Sequence, residues 1–114
     1  MKIEEKALEY FKYFKQGNIC ELSEMYHENI RLIDWNGEWS SKKEVLEMNE
    51  SLFNDNKISV YVEDVQVGMS PAGFPSDRVY CKIKIKVNDD TLKVMDVIDF
   101  DEEGKIIKIE AYNG

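Results

Sequence analysis

Three polar side chains sit where the local pattern calls for apolar ones. In "LKVMDVIDF", Asp96 alternates with Val94, Ile98 and Phe100 on one face of an extended segment. In "NIRLID", Asp34 follows Ile30 and Leu32 at the same parity. In the N-terminal helical pattern, Tyr10 lies on the stripe of Ile3, Ala7 and Phe14. A carboxyl inside an apolar face loses the hydration of its charged form, and full burial raises its pKa by up to about 3–5 units. Protonated, Asp96 becomes a hydrogen-bond donor, and a buried tyrosine is a second one. Two donors converging in a dry pocket stabilise a developing oxyanion. An ionised Asp34 nearer the pocket mouth can take a proton as general base. The chemistry that this set could do is proton abstraction next to a carbonyl.

Each residue also has a plainer reading. Tyr10 can be an ordinary core tyrosine whose hydroxyl finds a partner. Asp34 precedes a turn, so it can be a strand-end residue in water or an anchor for that turn. Asp96 is flanked by apolar residues on both sides, and buried Asp is rare unless paired or neutral. The alternative inner face of its strand is Met95, Val97 and Asp99, but Lys93 and Asp101 share that parity.

The elements that must position these residues follow from periodicity. The first helix carries Ile3, Ala7, Tyr10 and Phe14, with Leu8 and Phe11 beside them, and Gly17-Asn18 ends it. A short helix over "ICELSEMYH", capped by Asn18, buries Ile19, Leu22 and Met25 or Tyr26. "NIRLIDW" reads as a strand and "NGEW" as a turn. Ser40 or Ser41 caps a helix over "SKKEVLEMNESLF" with the stripe Val45, Met48 and Leu52, then Phe53; Ser41 and Glu44 have capping-box spacing. Four strands follow. The first changes parity between Val62 and Val65, the mark of a bulge or bend. "MSPAGFPSD" is a loop. "RVYCKIKIKV" points Val79, Cys81, Ile83, Ile85 and Val87 inward and its lysines outward, and the last strand is expected to bury Ile107, Ile109 and Ala111. Helices first and a meander of strands after give an α+β fold: a strongly bent, mainly antiparallel sheet forming a cone around the N-terminal helices. Trp35, Trp39, Met48, Phe53 and Phe14 are candidate pocket residues, with Phe74 a further determinant of pocket size.

Composition narrows the function classes. The chain has 114 residues, one domain by length, with 43% hydrophobic residues. Its net charge of −8 disfavours nucleic acid and anionic membranes. No apolar run approaches the roughly 20 residues that span a bilayer, and "MKIEEKALEY" does not read as a signal peptide. A cytoplasmic protein is therefore expected. Two cysteines, Cys20 and Cys81, do not make a disulfide framework. One histidine, His27, placed at a helix end, excludes a multi-histidine metal site. No metal and no cofactor is expected.

The element order and the stretches "EYFKYFKQGNICELSEMYHENIRLID" and "VMDVIDFDEEGKIIKIEAY" resemble the nuclear transport factor 2-like superfamily, also called SnoaL-like and cystatin-like, over nearly the whole chain. Within it the chain is most similar to bacterial ketosteroid isomerases. Those enzymes carry a tyrosine in the first helix, an aspartate base ending the first strand, and a second aspartate before F-D-E-x-G-[KR]-I. Tyr10, Asp34, Asp96 and "FDEEGKI" match that pattern. The resemblance implies that Asp34 shuttles a proton while Tyr10 and protonated Asp96 hold the dienolate oxygen. The ligand it implies is a hydrophobic small molecule bearing a carbonyl. It also implies a homodimer, for which outward-facing Ile33, Tyr61, Tyr80 and Val97 could supply a face. Two departures stand out: Trp35 follows Asp34 where the isomerases have proline, and Asn49 stands near the place of an additional tyrosine. A polyketide cyclase-like enzyme and a non-catalytic ligand-binding or dimerisation domain are the alternatives. The Asp–Arg–Asp set of limonene epoxide hydrolase-like sites is disfavoured, because parity puts Arg31 outside and Arg78 starts a strand. Scytalone dehydratase-like sites need pocket histidines.

Overall fold

The computed structural model describes residues 2–69 and 75–114. The elements are α1 (Ile3–Gln16), α2 (Ile19–Met25), β1 (Tyr26–Asp34), β2 (Gly37–Ser40), α3 (Lys42–Asp55), β3 (Ile58–Met69), β4 (Pro75–Val87), β5 (Asp90–Phe100) and β6 (Ile106–Asn113). The strands form one sheet in the order β2-β1-β6-β5-β4-β3. All neighbours are antiparallel except β1 and β6, which are parallel. The expected α+β class, with helices against a mainly antiparallel sheet, is the one observed.

Helix ends follow their chemistry. Gly17 closes α1 at φ +64°, and its N–H bonds back to the Phe14 carbonyl. The Asn18 side chain accepts from the Glu21 N–H at 3.2 Å, and the Ser41 hydroxyl accepts from the Glu44 N–H at 3.2 Å. α1 buries Ala7, Tyr10, Phe11 and Phe14 against the sheet, while Leu8 stays exposed. The parity shift in β3 is a register irregularity between Val62 and Asp64.

Several sequence expectations are corrected. "NGEW" is more than a turn: Gly37–Ser40 pairs with β1, setting Trp39 opposite Leu32. The short helix stops at Met25, so Tyr26 and His27 belong to β1. His27 therefore sits on a strand, where its Nδ1 accepts from the Asn29 N–H at 2.9 Å and its Nε2 lies 3.8 Å from Asp101. In β6, Ile106 is buried and Ile107 is exposed, the reverse of the expected alternation. The pairing jumps from Asp99–Lys108 to Phe100–Ile106, and the extra residue of that bulge shifts the face. Val97 is buried although it lies at the outward parity of β5 and apart from the main core cluster, whereas Tyr61 and Tyr80 are exposed. The loop read over "MSPAGFPSD" is shorter, because β3 continues to Met69 and β4 begins at Pro75. Phe74 and the rest of that loop lie outside the described residues.

Candidate functional site

The inner side of the bent sheet and the helices enclose a cavity of about 1070 Å³. Tyr10, Asp34 and Asp96 all line it, as do Phe14, Trp35, Trp39 and Met48. Phe53 does not. Its ring packs edge-on against Phe14 with centroids 5.0 Å apart, and it also lies beside Gly17, so it supports α1 from behind. The expected stripe of α3 is split accordingly. Val45 and Asn49 face the core, whereas Met48 and Leu52 face the cavity.

The sheet register explains how two aspartates share one space. Asp96 on β5 pairs with Ala111 on β6. β1 runs parallel on the other side of β6, pairing Ile33 with Glu110, so Asp34 falls beside Ala111. The two carboxylate-bearing residues are therefore two strand spacings apart, roughly 10 Å between backbones. A methyl group, which also lines the cavity, stands between them.

Asp96 is only 7% exposed. Among the described residues it has no hydrogen-bond or ion-pair partner, although no fully enclosed side-chain N or O atom is left unpaired. Its oxygens must therefore reach the cavity that they line. Burial, and then the negative charge of Asp34, push its pKa from 3.8 up to about 7. Asp34 is half-buried at the strand end. Its Oδ1 accepts from the Asn36 N–H at 2.6 Å and the Gly37 N–H at 3.2 Å. This is the turn anchor that the sequence allowed, and the same side chain faces the cavity.

The Tyr10 ring packs against that of Tyr26, with centroids 6.4 Å apart, and the Tyr26 hydroxyl donates to Asn49 Oδ1 at 2.7 Å. Desolvation, with the nearby negative charge of Asp96, raises the Tyr10 pKa well above its ordinary value. No hydrogen bond joins Tyr10 to Asp96. Tyr26 and Asn49 are both fully buried. The sequence reading places Tyr26 in the short helix, as one of two residues that could be buried there; its parity with Ile30 and Leu32 is the signal for the inner face of β1. Also missed was the polar half of the cavity wall. Glu44, Glu47, Ser51 and Asp55 fall on one side of α3 at helical spacing, next to Met48 and Leu52. Neither arginine lines the cavity: Arg31 pairs with Glu38, and Arg78 pairs with Asp99. No cluster of three or more His, Cys, Asp or Glu side chains suited to a metal ion occurs among the described residues. No helix among them is long and apolar enough to cross a membrane.

No protein family matches the chain by sequence profile, and no curated protein matches it by sequence. Solved structures do match in shape. A nuclear transport factor 2-like protein of unknown function from Cytophaga hutchinsonii is 14% identical, with a TM-score of 0.84 over 100% of this chain and 91% of that one. A protein provisionally assigned as a ketosteroid isomerase, from Kribbella flavida, is 10% identical, with a TM-score of 0.81 over 98% of this chain and 77% of that one. A third, from Jannaschia sp. CCS1 and provisionally assigned as a SnoaL-like polyketide cyclase, is 16% identical, with a TM-score of 0.77 over 96% and 83%. At such identities these likenesses speak for shape and not for chemistry. They show that this chain has the nuclear transport factor 2-like fold, also described as cystatin-like.

Proposed function

We propose that this protein is a small-molecule enzyme of the ketosteroid isomerase type. The observation that carries the reading is a single cavity lined by a half-buried carboxylate, a buried tyrosine and a buried, unpartnered carboxyl poised near neutral pH. In the reaction, the Asp34 carboxylate takes a proton from the carbon between a carbonyl and a carbon–carbon double bond. The electron pair moves onto the carbonyl oxygen, where the Tyr10 and Asp96 hydroxyls donate to the forming dienolate. Asp34 then returns the proton to the far carbon. The double bond is conjugated, and neither a cofactor nor a redox step is needed. The same acid–base set could serve a polyketide cyclase-like ring closure, a chemistry named for one neighbour of similar shape. Two copies pairing through their sheets complete the reading, supported by exposed Tyr80, Met95 and Tyr112 on the outer face.

A second reading, a binding domain without chemistry, is favoured by one observation. Tyr26 spends its proton on Asn49, and Tyr10 packs against Tyr26 with no hydrogen bond to Asp96. Catalysis requires the Tyr10 hydroxyl to donate into the cavity.

A β,γ-unsaturated 3-ketosteroid is the test substrate, with appearance of the conjugated enone followed by ultraviolet absorbance. Turnover is expected in the native protein, and Asp34→Asn should reduce it by about 10²–10⁴-fold. Because the Asn oxygen can still accept from Asn36 and Gly37, the melting temperature should hold. Absence of conjugation, or full activity in the variant, would overturn the isomerase reading.

A further inference from the structure

The charges around the cavity are all of one sign. Asp34, Glu44, Glu47, Asp55, Asp90 and Asp96 line it, and no Lys, Arg or His does. The chain as a whole has 23 acidic and 15 basic residues, so an unbiased wall would include cations. They are elsewhere: Lys82, Lys84 and Lys86 alternate outward on β4, away from buried Cys81 and Ile83. None of these six acidic side chains forms an ion pair among the described residues. Glu44, Glu47, Asp55 and Asp90 are exposed and mark the mouth, whereas the deeper wall is apolar, with Phe11, Phe14, Ile83 and Val94.

An acidic rim alone would be a solvated surface. Here a second feature points to a ligand. Asp96 is an unpartnered carboxyl, more than nine-tenths buried, facing into the same cavity. Two indole side chains, Trp35 and Trp39, also line it, and indoles attract cations. With no three-residue metal cluster among the described residues, an organic cation suits the mouth better than a divalent metal ion.

We propose that the cavity takes an amphipathic organic cation, with a flat apolar body seated deep and an amine or other positively charged nitrogen at the acidic mouth. This names a substrate class for the site assigned under the proposed function, and rests on it only in taking the same cavity. In that reaction the substrate would be a carbonyl compound bearing a basic nitrogen. Carboxylated, phosphorylated and sulfated compounds would be rejected by like charge. One exposed carboxylate attracts a cation weakly in water, but several around a concave, partly apolar mouth add their fields.

The test uses three probes on one skeleton: 2-(2-naphthyl)ethylamine, 2-(2-naphthyl)ethanol and 3-(2-naphthyl)propionate. Each is titrated into the native protein at neutral pH and low salt, and binding is measured by calorimetry. The amine is expected to bind about tenfold more tightly than the alcohol, and the propionate more weakly than either. Raising the ionic strength should erode the amine's advantage without changing the alcohol. The double variant Glu47→Gln/Asp55→Asn, at exposed helix positions, should reduce amine affinity several-fold and leave the alcohol unchanged. Equal binding of amine and alcohol, tighter binding of the propionate, or no binding by any probe would overturn the proposal. These outcomes do not depend on turnover. An inactive protein with the expected affinity order would discard the isomerase reading alone.

Discussion

Replacing Asp96 with asparagine should stabilise the protein at neutral pH and leave it unchanged in acid. In the unfolded chain this carboxyl has the ordinary value near 3.8, and in the native protein it is pushed up to about 7. Below the lower value it is protonated in both states and contributes no difference. Between the two values only the native state holds the proton, so stability falls by about 1.36 kcal/mol per pH unit. Above the upper value it is ionised in both states and the full loss is present. A gap of about three units gives a loss of about 4 kcal/mol at pH 8, large against a typical total of about 5–15 kcal/mol.

Asparagine mimics the protonated carboxyl in shape and carries no charge at any pH, so Asp96→Asn should escape this loss. Urea denaturation followed by circular dichroism at pH 4, 6 and 8 measures it. The variant and native protein should agree within about 1 kcal/mol at pH 4 and diverge to about 4 kcal/mol at pH 8, with the variant the more stable. In thermal melts the same divergence would be on the order of 15 °C. Ion pairs such as Arg78–Asp99 are the same in both proteins and cancel in the difference. Parallel stability curves across the whole range would refute the reasoning. They would mean that Asp96 is ionised and solvated at neutral pH, and its role as a donor would fall with that result.

Tyr26→Phe removes the hydroxyl that lies between Tyr10 and Asn49. It leaves a fully buried amide oxygen without its partner, so urea denaturation should show a loss of about 1–3 kcal/mol. A loss under about 0.5 kcal/mol would mean that water replaces the hydroxyl. Sedimentation equilibrium at micromolar concentration should give a homodimer, and a monomer there would discard the sheet-to-sheet pairing. Lysine at Met95, on that outer face, should shift the equilibrium toward monomer without moving the pKa of Asp96.

The sequence made the fold legible wherever one face of an element is dry and the other wet. β4 is the clearest case: Val79, Cys81 and Ile83 are buried and Lys82, Lys84 and Lys86 exposed, as alternation demands. The same rule placed Asp96 inward, where it is found, because Lys93 and Asp101 share the parity of the other face. It failed where geometry breaks the period. The bulge between Asp99 and Phe100 exchanges Ile106 and Ile107, and no residue type near it announces the extra residue. β2 is four residues long, too short for a period, and its turn-forming Asn36-Gly37 masked it. The acidic side of α3 was legible as a helical face. Its relation to the cavity was not, because which side of a helix meets a concavity depends on how the helix packs. Asn49 shows the same limit: a polar residue beside Met48 gives no hint that it is the fully buried partner of Tyr26.

The two cavity aspartates also bear on each other's function. Asp34 anchors its turn through Oδ1, which fixes the carboxylate plane and leaves the second oxygen without a partner among the described residues. Its negative charge helps keep Asp96 protonated. In the proposed reaction that charge disappears when Asp34 accepts a proton, which would seem to release the Asp96 proton just when it is needed as a donor. The charge is moved, however, not removed. It reappears on the substrate oxygen, which lies nearer to Asp96 than Asp34 does and accepts its hydrogen bond directly. A negative charge at shorter range disfavours the ionised form of Asp96 more strongly. Below pH 7 its proton is therefore held throughout the cycle, first by burial together with the charge of the base two strands away and then by burial together with the oxyanion. That continuity needs a small residue between the two carboxyls so that a substrate can span them, and Ala111 is the residue placed there.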